Sequence, residues 1–345
     1  MRPIPLNFLT MYADLAQGFE FSDAEAGSIT TRKIKGKSYL YVTSKDGAIR
    51  RQRSLGPADD PRAQEEASRI AAAAERARNM RTVVSTLKQK ARIPAPTLPV
   101  GRVLEVVSKA GLFKRGITLV GTAAYQTYPC IIGSYLPTAA FMTNDIDLSV
   151  AEFEPGENEE DLGAVLRRAN PTFKPEWHTD DRLPKIFVAS DGLRVDILTT
   201  QKRGNVKSVQ VEELGCAAVA LSFQEFPAED TLETVVLYGS GVLVRVPTPL
   251  KFAVHKLLVA QRRNTADKKQ KDLRQALELI DILIDTDEQA LQDVLDDARS
   301  RGKAWKTAIN ASLREIGRDA RQGRLPLSVE PRLARPKTAR RRVRS

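Results

Sequence analysis

The strongest constraint on this chain is a pair of aspartates two residues apart on a short apolar run, Asp145-Ile146-Asp147-Leu148-Ser149-Val150. Because β-strand side chains alternate between faces, Asp145 and Asp147 should share one face while Ile146 and Leu148 turn towards a core. Two carboxylates that close repel each other unless a cation lies between them. Oxygen-only ligands suit Mg²⁺ or Mn²⁺, so the pattern predicts a divalent-cation site.

Two flanking segments carry further groups that can bind phosphates and metal ions. Within residues 116–125, an apolar run leads into Gly121-Thr122. This pattern predicts a buried strand that ends at Gly121-Thr122 and is followed by a helix. Backbone N–H groups and a hydroxyl at such a turn can hold a triphosphate, although Thr122 is equally explained as a plain helix N-cap. Residues 193–198 form an apolar strand with Asp196 in its middle. We expect Asp196 to be the general base or a ligand of the second metal, which activates the attacking hydroxyl.

At these residues the chain resembles the polymerase-β-type nucleotidyltransferase superfamily, whose pattern is Gly-Ser, then Asp-x-Asp/Glu, then a later lone Asp. Asp145, Asp147 and Asp196 match the three acidic positions. The resemblance implies that these three carboxylates bind Mg²⁺ or Mn²⁺ and carry catalysis. Gly121 matches the glycine, and Thr122 stands where serine is usual, so both are expected to bind the NTP substrate.

The resemblance covers roughly residues 100–285. Residues 249–258, followed by Lys271 and Asp272, look like the helices after the catalytic domain in bacterial members. These members include abortive-infection-type toxins and an uncharacterised group of nucleotidyltransferase-fold proteins. On this match Lys256 is predicted to reach the β- or γ-phosphate, with a solvated surface lysine as the alternative. A surface salt bridge is likewise the alternative role for Lys271 and Asp272.

Composition limits the partners and the compartment. The 345 residues carry a formal net charge of +11, which favours a polyanionic partner beyond an ATP-like substrate. Two cysteines give no disulfide framework, and two histidines argue against a zinc site. No apolar run approaches the roughly 18 residues of a membrane span, and no signal peptide is recognisable at the N-terminus. We therefore expect a cytoplasmic protein without a membrane partner.

The pattern of elements predicts the α+β class: a nucleotidyltransferase-like mixed sheet with flanking helices. Residues 1–98 are expected to hold a helix, a basic β-hairpin and a long helix, and residues 99–247 the catalytic domain. Residues 248–325 predict a C-terminal helical domain, and 326–345 a basic disordered tail. The hairpin interleaves cations with tyrosines that can contact phosphates and stack on bases, although a solvated hairpin is the alternative. These residues are Arg32, Lys33, Lys35, Lys37, Tyr39, Tyr41, Arg50, Arg51 and Arg53.

These features favour an enzyme that moves an NMP from an NTP to an acceptor hydroxyl, with RNA, such as a tRNA 3′ end, slightly ahead of a protein acceptor. A small-molecule acceptor is also open, and a protein acceptor would make the chain a toxin-like NMPylating transferase. Another alternative is a nucleotidyltransferase-like domain that binds nucleic acid without catalysis. A further alternative, a DNA-binding accessory protein in recombination or replication, is supported only by the basic hairpin and tail. The sequence leaves the base of the NTP and the oligomeric state open.

Overall fold

Strands and helices are mixed along the chain, and the predicted α+β class is confirmed. The computed structural model describes residues 2–19, 26–46, 49–156, 160–177, 182–201 and 206–321. The helices are α1 (Leu6–Gln17), α2 (Pro61–Gln89), α3 (Leu98–Lys109), α4 (Gly121–Tyr125), α5 (Tyr128–Ile132), α6 (Leu162–Ala169), α7 (Glu225–Ala228), α8 (Pro249–Ala260), α9 (Ala266–Ser300) and α10 (Lys303–Arg321). The strands are β1 (Ser28–Ile34), β2 (Lys37–Asp46), β3 (Ile49–Pro57), β4 (Ile117–Val120), β5 (Asp145–Val150), β6 (Lys174–Glu176), β7 (Ile186–Val188), β8 (Arg194–Thr200), β9 (Ser208–Val211), β10 (Cys216–Leu221), β11 (Thr231–Val236) and β12 (Val242–Pro247).

Contacts between Cα atoms divide the chain into two units. One contains Leu136–Thr138 and the described part of Thr248–Ser345, and the other contains Arg2–Tyr135 and Ala139–Pro247. No helix within the described segments is long and apolar enough to cross a lipid bilayer. The tail that was predicted to be disordered, residues 326–345, lies outside the described residues, as does Gly47 of the predicted hairpin turn.

A mixed sheet forms the centre of the larger unit. Its strands follow the order β4-β5-β8-β10-β9, with β7 paired to β8 and β6 paired to β7. β5 and β8 run parallel, whereas β4 runs antiparallel to β5. Ile146 and Leu148 on β5 and Val195 and Ile197 on β8 are fully buried, which explains why both strands read as apolar runs. The alternate residues of both strands face the other side of the sheet.

The N-terminal region contains a three-stranded antiparallel sheet with the order β1-β2-β3. The sequence predicted the β2–β3 hairpin, and the structure adds β1 as a third strand. Lys35 and Gly36 make the tight turn from β1 to β2, with φ angles of 48° and 82°. The left-handed conformation of Gly36 costs little because glycine lacks a Cβ atom.

The smaller unit is built from α8, α9 and α10. Within the predicted helical domain, the sequence predicts separate helices at residues 287–299 and 303–317, whereas α9 runs from Ala266 to Ser300 as one element. Asp287 nevertheless has non-helical dihedral angles (φ −155°, ψ 69°), and its Oδ1 accepts a hydrogen bond of 3.0 Å from the N–H of Ala290. This side-chain bond is an N-cap, so the predicted helix start survives as a kink.

Candidate functional site

The structure places the three predicted catalytic aspartates on one face of the central sheet. Asp147 on β5 and Asp196 on the parallel strand β8 are register partners, and Asp145 pairs in the same way with Arg194. Because the side chains of residues i and i+2 share a face, all four project together. Asp145 is exposed at the start of β5, and Asp147 and Asp196 are half-buried. The N–H of Asp145 donates to Oγ1 of Thr143 over 3.1 Å, which holds the strand end in place.

The predicted strand-to-helix turn lies directly against one of these carboxylates. β4 ends at Val120, which is the register partner of Asp147, and α4 begins at Gly121. Gly121 has φ +69°, and a Cβ atom built on it would lie 2.0 Å from Oδ2 of Asp147. Any other residue at this position would strain the backbone and displace the carboxylate. Thr122, the predicted hydroxyl donor, is 8% exposed, and its contact with phosphate stays a prediction.

A residue that sequence reasoning missed, Arg194, holds the carboxylate of Asp196. Its Nε atom donates to Oδ1 and Oδ2 of Asp196 over 2.9 and 3.1 Å, and its Nη1 atom donates to Oε2 of Glu176 over 3.1 Å. The signal was available, since Arg194 stands two residues before Asp196 on an apolar strand and must share its face. Glu176 comes from β6, which no local pattern links to β8.

The electrostatics of the site follow from this crowding. Burial raises the pKa of Asp196, as do the charges of Asp147 and Asp145, while the guanidinium of Arg194 opposes the shift. The net direction is upward, so one guanidinium does not fully compensate a half-buried cluster of three carboxylates. Such a cluster favours the approach of a further cation.

The oxygen donors of Asp145 and Asp147 fit a divalent cation such as Mg²⁺ or Mn²⁺ by their chemistry. Among the described residues, however, no three acidic, histidine or cysteine side chains converge tightly enough to hold a metal ion. Both carboxylate oxygens of Asp196 accept from Nε of Arg194, so this guanidinium already neutralises part of the charge that a metal ion would meet. The predicted metal ligands thus lie on one face, with the third engaged by an internal cation.

Lys256, the predicted phosphate ligand, belongs to the smaller unit, where it is 5% exposed. Its Nζ atom donates to Oδ1 of Asp272 over 2.7 Å and lies 5.1 Å from the ring centroid of Phe252. Asp272 is 2% exposed and also binds Arg263. The alternatives of a solvated lysine and of a surface role for Asp272 are therefore wrong. The contact of Lys256 with a nucleotide stays a prediction.

His255 completes the buried polar group of this unit. It is half-buried, and its Nε2 atom is buried without a hydrogen-bond partner among the described residues. Burial, helped by the positive charge of Lys256, lowers the pKa of His255 to about 3. Opposing effects act on Asp272: burial raises the pKa of its carboxyl group, but Lys256 and Arg263 outweigh burial and lower it. The carboxylate of Asp272 is therefore the compensating charge for two cations.

Similarity to known proteins covers the central sheet and most of the C-terminal helices. A comparison with curated proteins gave no match. One solved structure, an antigenic nucleotidyltransferase-like protein from Paracoccidioides brasiliensis, shares 17% sequence identity and aligns with a TM-score of 0.32 over 63% of this chain and 95% of that chain. The model of a family described as nucleotidyltransferase matches residues 99–300. Since this match spans more than half of the chain and includes every residue from the Gly121 turn to Asp272, the chain belongs to that nucleotidyltransferase family.

Proposed function

We propose that this protein is an enzyme that transfers an NMP group from an NTP to an acceptor hydroxyl with the help of Mg²⁺ or Mn²⁺. Membership of the nucleotidyltransferase family supports nucleotidyl transfer in general. The observation that carries the proposal is the register of Asp147 with Asp196 on parallel strands, with Asp145 on the same face. Three carboxylates grouped on one face are costly to bury and are the donors that a divalent cation prefers.

Each residue has a role in this proposal. Asp145 and Asp147 would hold the cation, which would supply positive charge to offset that of the triphosphate. Gly121 lets the backbone approach the phosphates closely, and Thr122 offers its hydroxyl to them. Asp196 accepts the proton of the acceptor hydroxyl, a task that suits a half-buried carboxylate with a raised pKa. Lys256 is the further candidate for a phosphate contact.

The reaction is a displacement at the α-phosphorus. The acceptor oxygen forms a bond to this phosphorus while the bond from phosphorus to the bridging oxygen of the β-phosphate breaks. Pyrophosphate leaves with the electron pair of that bond, and the acceptor proton passes to Asp196. The sheet face contributes mainly position and charge, since phosphoryl-type transfers depend chiefly on both.

RNA is the proposed acceptor, with the 3′ end of a tRNA as one possible form. The support is charge: the chain carries 54 Lys and Arg residues against 43 Asp and Glu residues. A substrate nucleotide alone does not require such an excess, whereas a polyanionic acceptor is attracted by it.

The test is to incubate the protein with each α-³²P-labelled NTP, Mg²⁺ and total cellular RNA or lysate. We expect label on RNA with the wild type and none with Asp147→Asn. Asp196→Ala should slow transfer far more than it weakens NTP binding, because Asp196 acts on the acceptor. Label on protein would replace the RNA acceptor with a protein acceptor. A folded protein that binds NTP and labels nothing would contradict catalysis.

A further inference from the structure

The N-terminal sheet β1–β3 lies outside the residues that match the nucleotidyltransferase family, and its two faces differ. One face packs on α2. Val42 is 1% exposed on this face, and Ala63 of α2, which is also 1% exposed, approaches Gly56 of β3. On the same side the guanidinium of Arg53 binds Glu66 of α2 over 2.8 Å. This face, the α2 face, therefore has its partner within the chain.

The opposite face, the open face, carries aromatic and basic side chains. Strand register places Arg32 beside Tyr39 across β1 and β2, and alternation puts Tyr41 on the same side. The guanidinium of Arg32 lies over the ring of Tyr41, 5.2 Å from its centroid. Both tyrosines are half-buried, whereas Arg32 and Lys37 are exposed.

The charge of the sheet indicates a polyanionic partner. Residues 28–57 contain eight Lys and Arg residues and one acidic residue. Register also places exposed Arg50 of β3, opposite Lys45, on the open face, so cations are present on all three strands. Gln52 on the same face donates to Oγ1 of Thr43 over 3.1 Å and adds a polar group between them.

Cations along a face that also presents aromatic rings match the chemistry of single-stranded nucleic acid. Phosphates are bound by the cations, and unpaired bases stack on the rings or on guanidinium planes. The bases of a duplex are already stacked on each other, so a duplex would leave Tyr39 and Tyr41 without this contact. We infer that the open face binds single-stranded RNA and thereby supplies the acceptor strand; the role of this RNA as acceptor rests on the proposed function.

The sheet itself provides a matched pair of variants. Arg32→Ala/Lys37→Ala/Arg50→Ala removes three cations from the open face. Lys33→Ala/Arg51→Ala/Arg53→Ala removes three exposed cations from the α2 face, which strand register assigns to the side of Val42. Both triples change the net charge equally, and thermal unfolding shows whether each stays folded.

The measurement is fluorescence anisotropy of a short labelled single-stranded RNA of mixed sequence, titrated without NTP at several salt concentrations. We expect the open-face triple to weaken binding at least tenfold at low salt and to flatten the slope of log affinity against log salt by about 2, since each lost phosphate contact removes about 0.7. The α2-face triple should stay close to the wild type. Equal losses in both triples, no RNA binding by the wild type, or tighter binding of duplex DNA would each overturn the inference.

Two further variants separate stacking and catalysis from charge. Tyr39→Leu/Tyr41→Leu keeps the charge and should weaken RNA binding with an unchanged salt slope; unchanged affinity would overturn the stacking role. Asp147→Asn should bind RNA as the wild type does while it transfers no nucleotide. A wild type that binds RNA on this face but transfers no NMP would defeat the proposed function and the acceptor role, and would leave RNA binding by the open face standing.

Discussion

The carboxylate of Asp147 lies so close to Gly121 that a Cβ atom built on this glycine would be 2.0 Å from Oδ2. The turn after β4 therefore packs directly against Asp147, the second aspartate of β5. The φ angle of +69° at Gly121 adds a second requirement for glycine. The position of a candidate metal ligand thus depends on a residue that has no side chain.

Gly121→Ala tests this dependence. We expect it to lower the free energy of unfolding by about 1–3 kcal/mol and to abolish any tightening of NTP binding by Mg²⁺, because the new methyl group displaces Asp147. Gly239→Ala is the matched control, since Gly239 has φ +59° and nothing lies within 4 Å of a Cβ atom there. It should cost only the backbone strain and keep the metal response. Equal effects of both variants on metal-dependent binding would contradict the contact.

Arg194 and a divalent cation should compete for Asp196. Arg194→Ala removes the guanidinium that binds both carboxylate oxygens, which leaves the three aspartates with less compensation. We therefore expect Mg²⁺ or Mn²⁺ to raise the midpoint of thermal unfolding more in Arg194→Ala than in the wild type. Arg194→Lys, which keeps a cation, should fall between the two. The same metal-induced shift in all three proteins would show that Arg194 does not compete.

Asp272 should be essential to the stability of the smaller unit. Asp272→Ala leaves the buried Lys256 without its anion, and removal of one partner of a buried pair costs about 3–5 kcal/mol. Arg263 is 39% exposed in its side chain, so Arg263→Ala should cost about 1 kcal/mol or less. Urea denaturation of the two variants measures both values, and an Asp272→Ala variant as stable as Arg263→Ala would contradict the buried pair.

A test of whether Lys256 contacts a phosphate needs a variant that does not leave Asp272 as an unpaired buried charge. Lys256→Met/Asp272→Leu replaces both buried charges with apolar groups, which is often far less costly than removal of one. If Lys256 contacts a phosphate, this folded double variant should bind NTP at least tenfold more weakly than the wild type. Wild-type NTP affinity in the double variant would assign Lys256 a purely structural role.

His255 predicts a pH dependence of stability. Its pKa is lowered from 6.5 to about 3, so the folded protein keeps it neutral while the unfolded chain takes up a proton below pH 6.5. The contribution of neutral His255 to the free energy of unfolding is complete above pH 6.5. It is lost as the pH falls, by up to about 1.4 kcal/mol per pH unit. Between pH 6.5 and about 5, His255→Gln should therefore lose less stability than the wild type in chemical denaturation. Parallel pH profiles would refute the neutral buried state.

The apolar run at residues 193–198 was enough to place Asp196 on a strand, and period-two alternation was enough to predict that Asp145 and Asp147 share a face. It was not enough to predict that Asp147 and Asp196 are neighbours, because parallel pairing of β5 with β8 joins segments about 50 residues apart. Arg194 obeys the same alternation, so its place beside Asp196 could have been read from the sequence, whereas its second partner, Glu176 on β6, could not.

The remaining differences have similar causes. β1 was missed because Ser28–Ile34 has only two apolar residues, and β2 supplies its hydrogen-bond partners. The two faces of the N-terminal sheet were not separable in sequence, since the bulge near Tyr41 and the position of α2 decide which residues are covered. The separate helix predicted at residues 287–299 is instead the second part of α9, which continues past non-helical dihedral angles at Asp287.

A divalent cation bound by Asp145 and Asp147 would tighten the binding of the triphosphate. Isothermal titration of an NTP into the protein, with Mg²⁺ and with EDTA, tests this directly. We expect Mg²⁺ to tighten binding at least tenfold in the wild type and in the control Asp59→Asn, which removes an exposed aspartate outside the site. Asp147→Asn should stay folded and lose that gain. Equal NTP affinity with and without metal in the wild type would contradict the account.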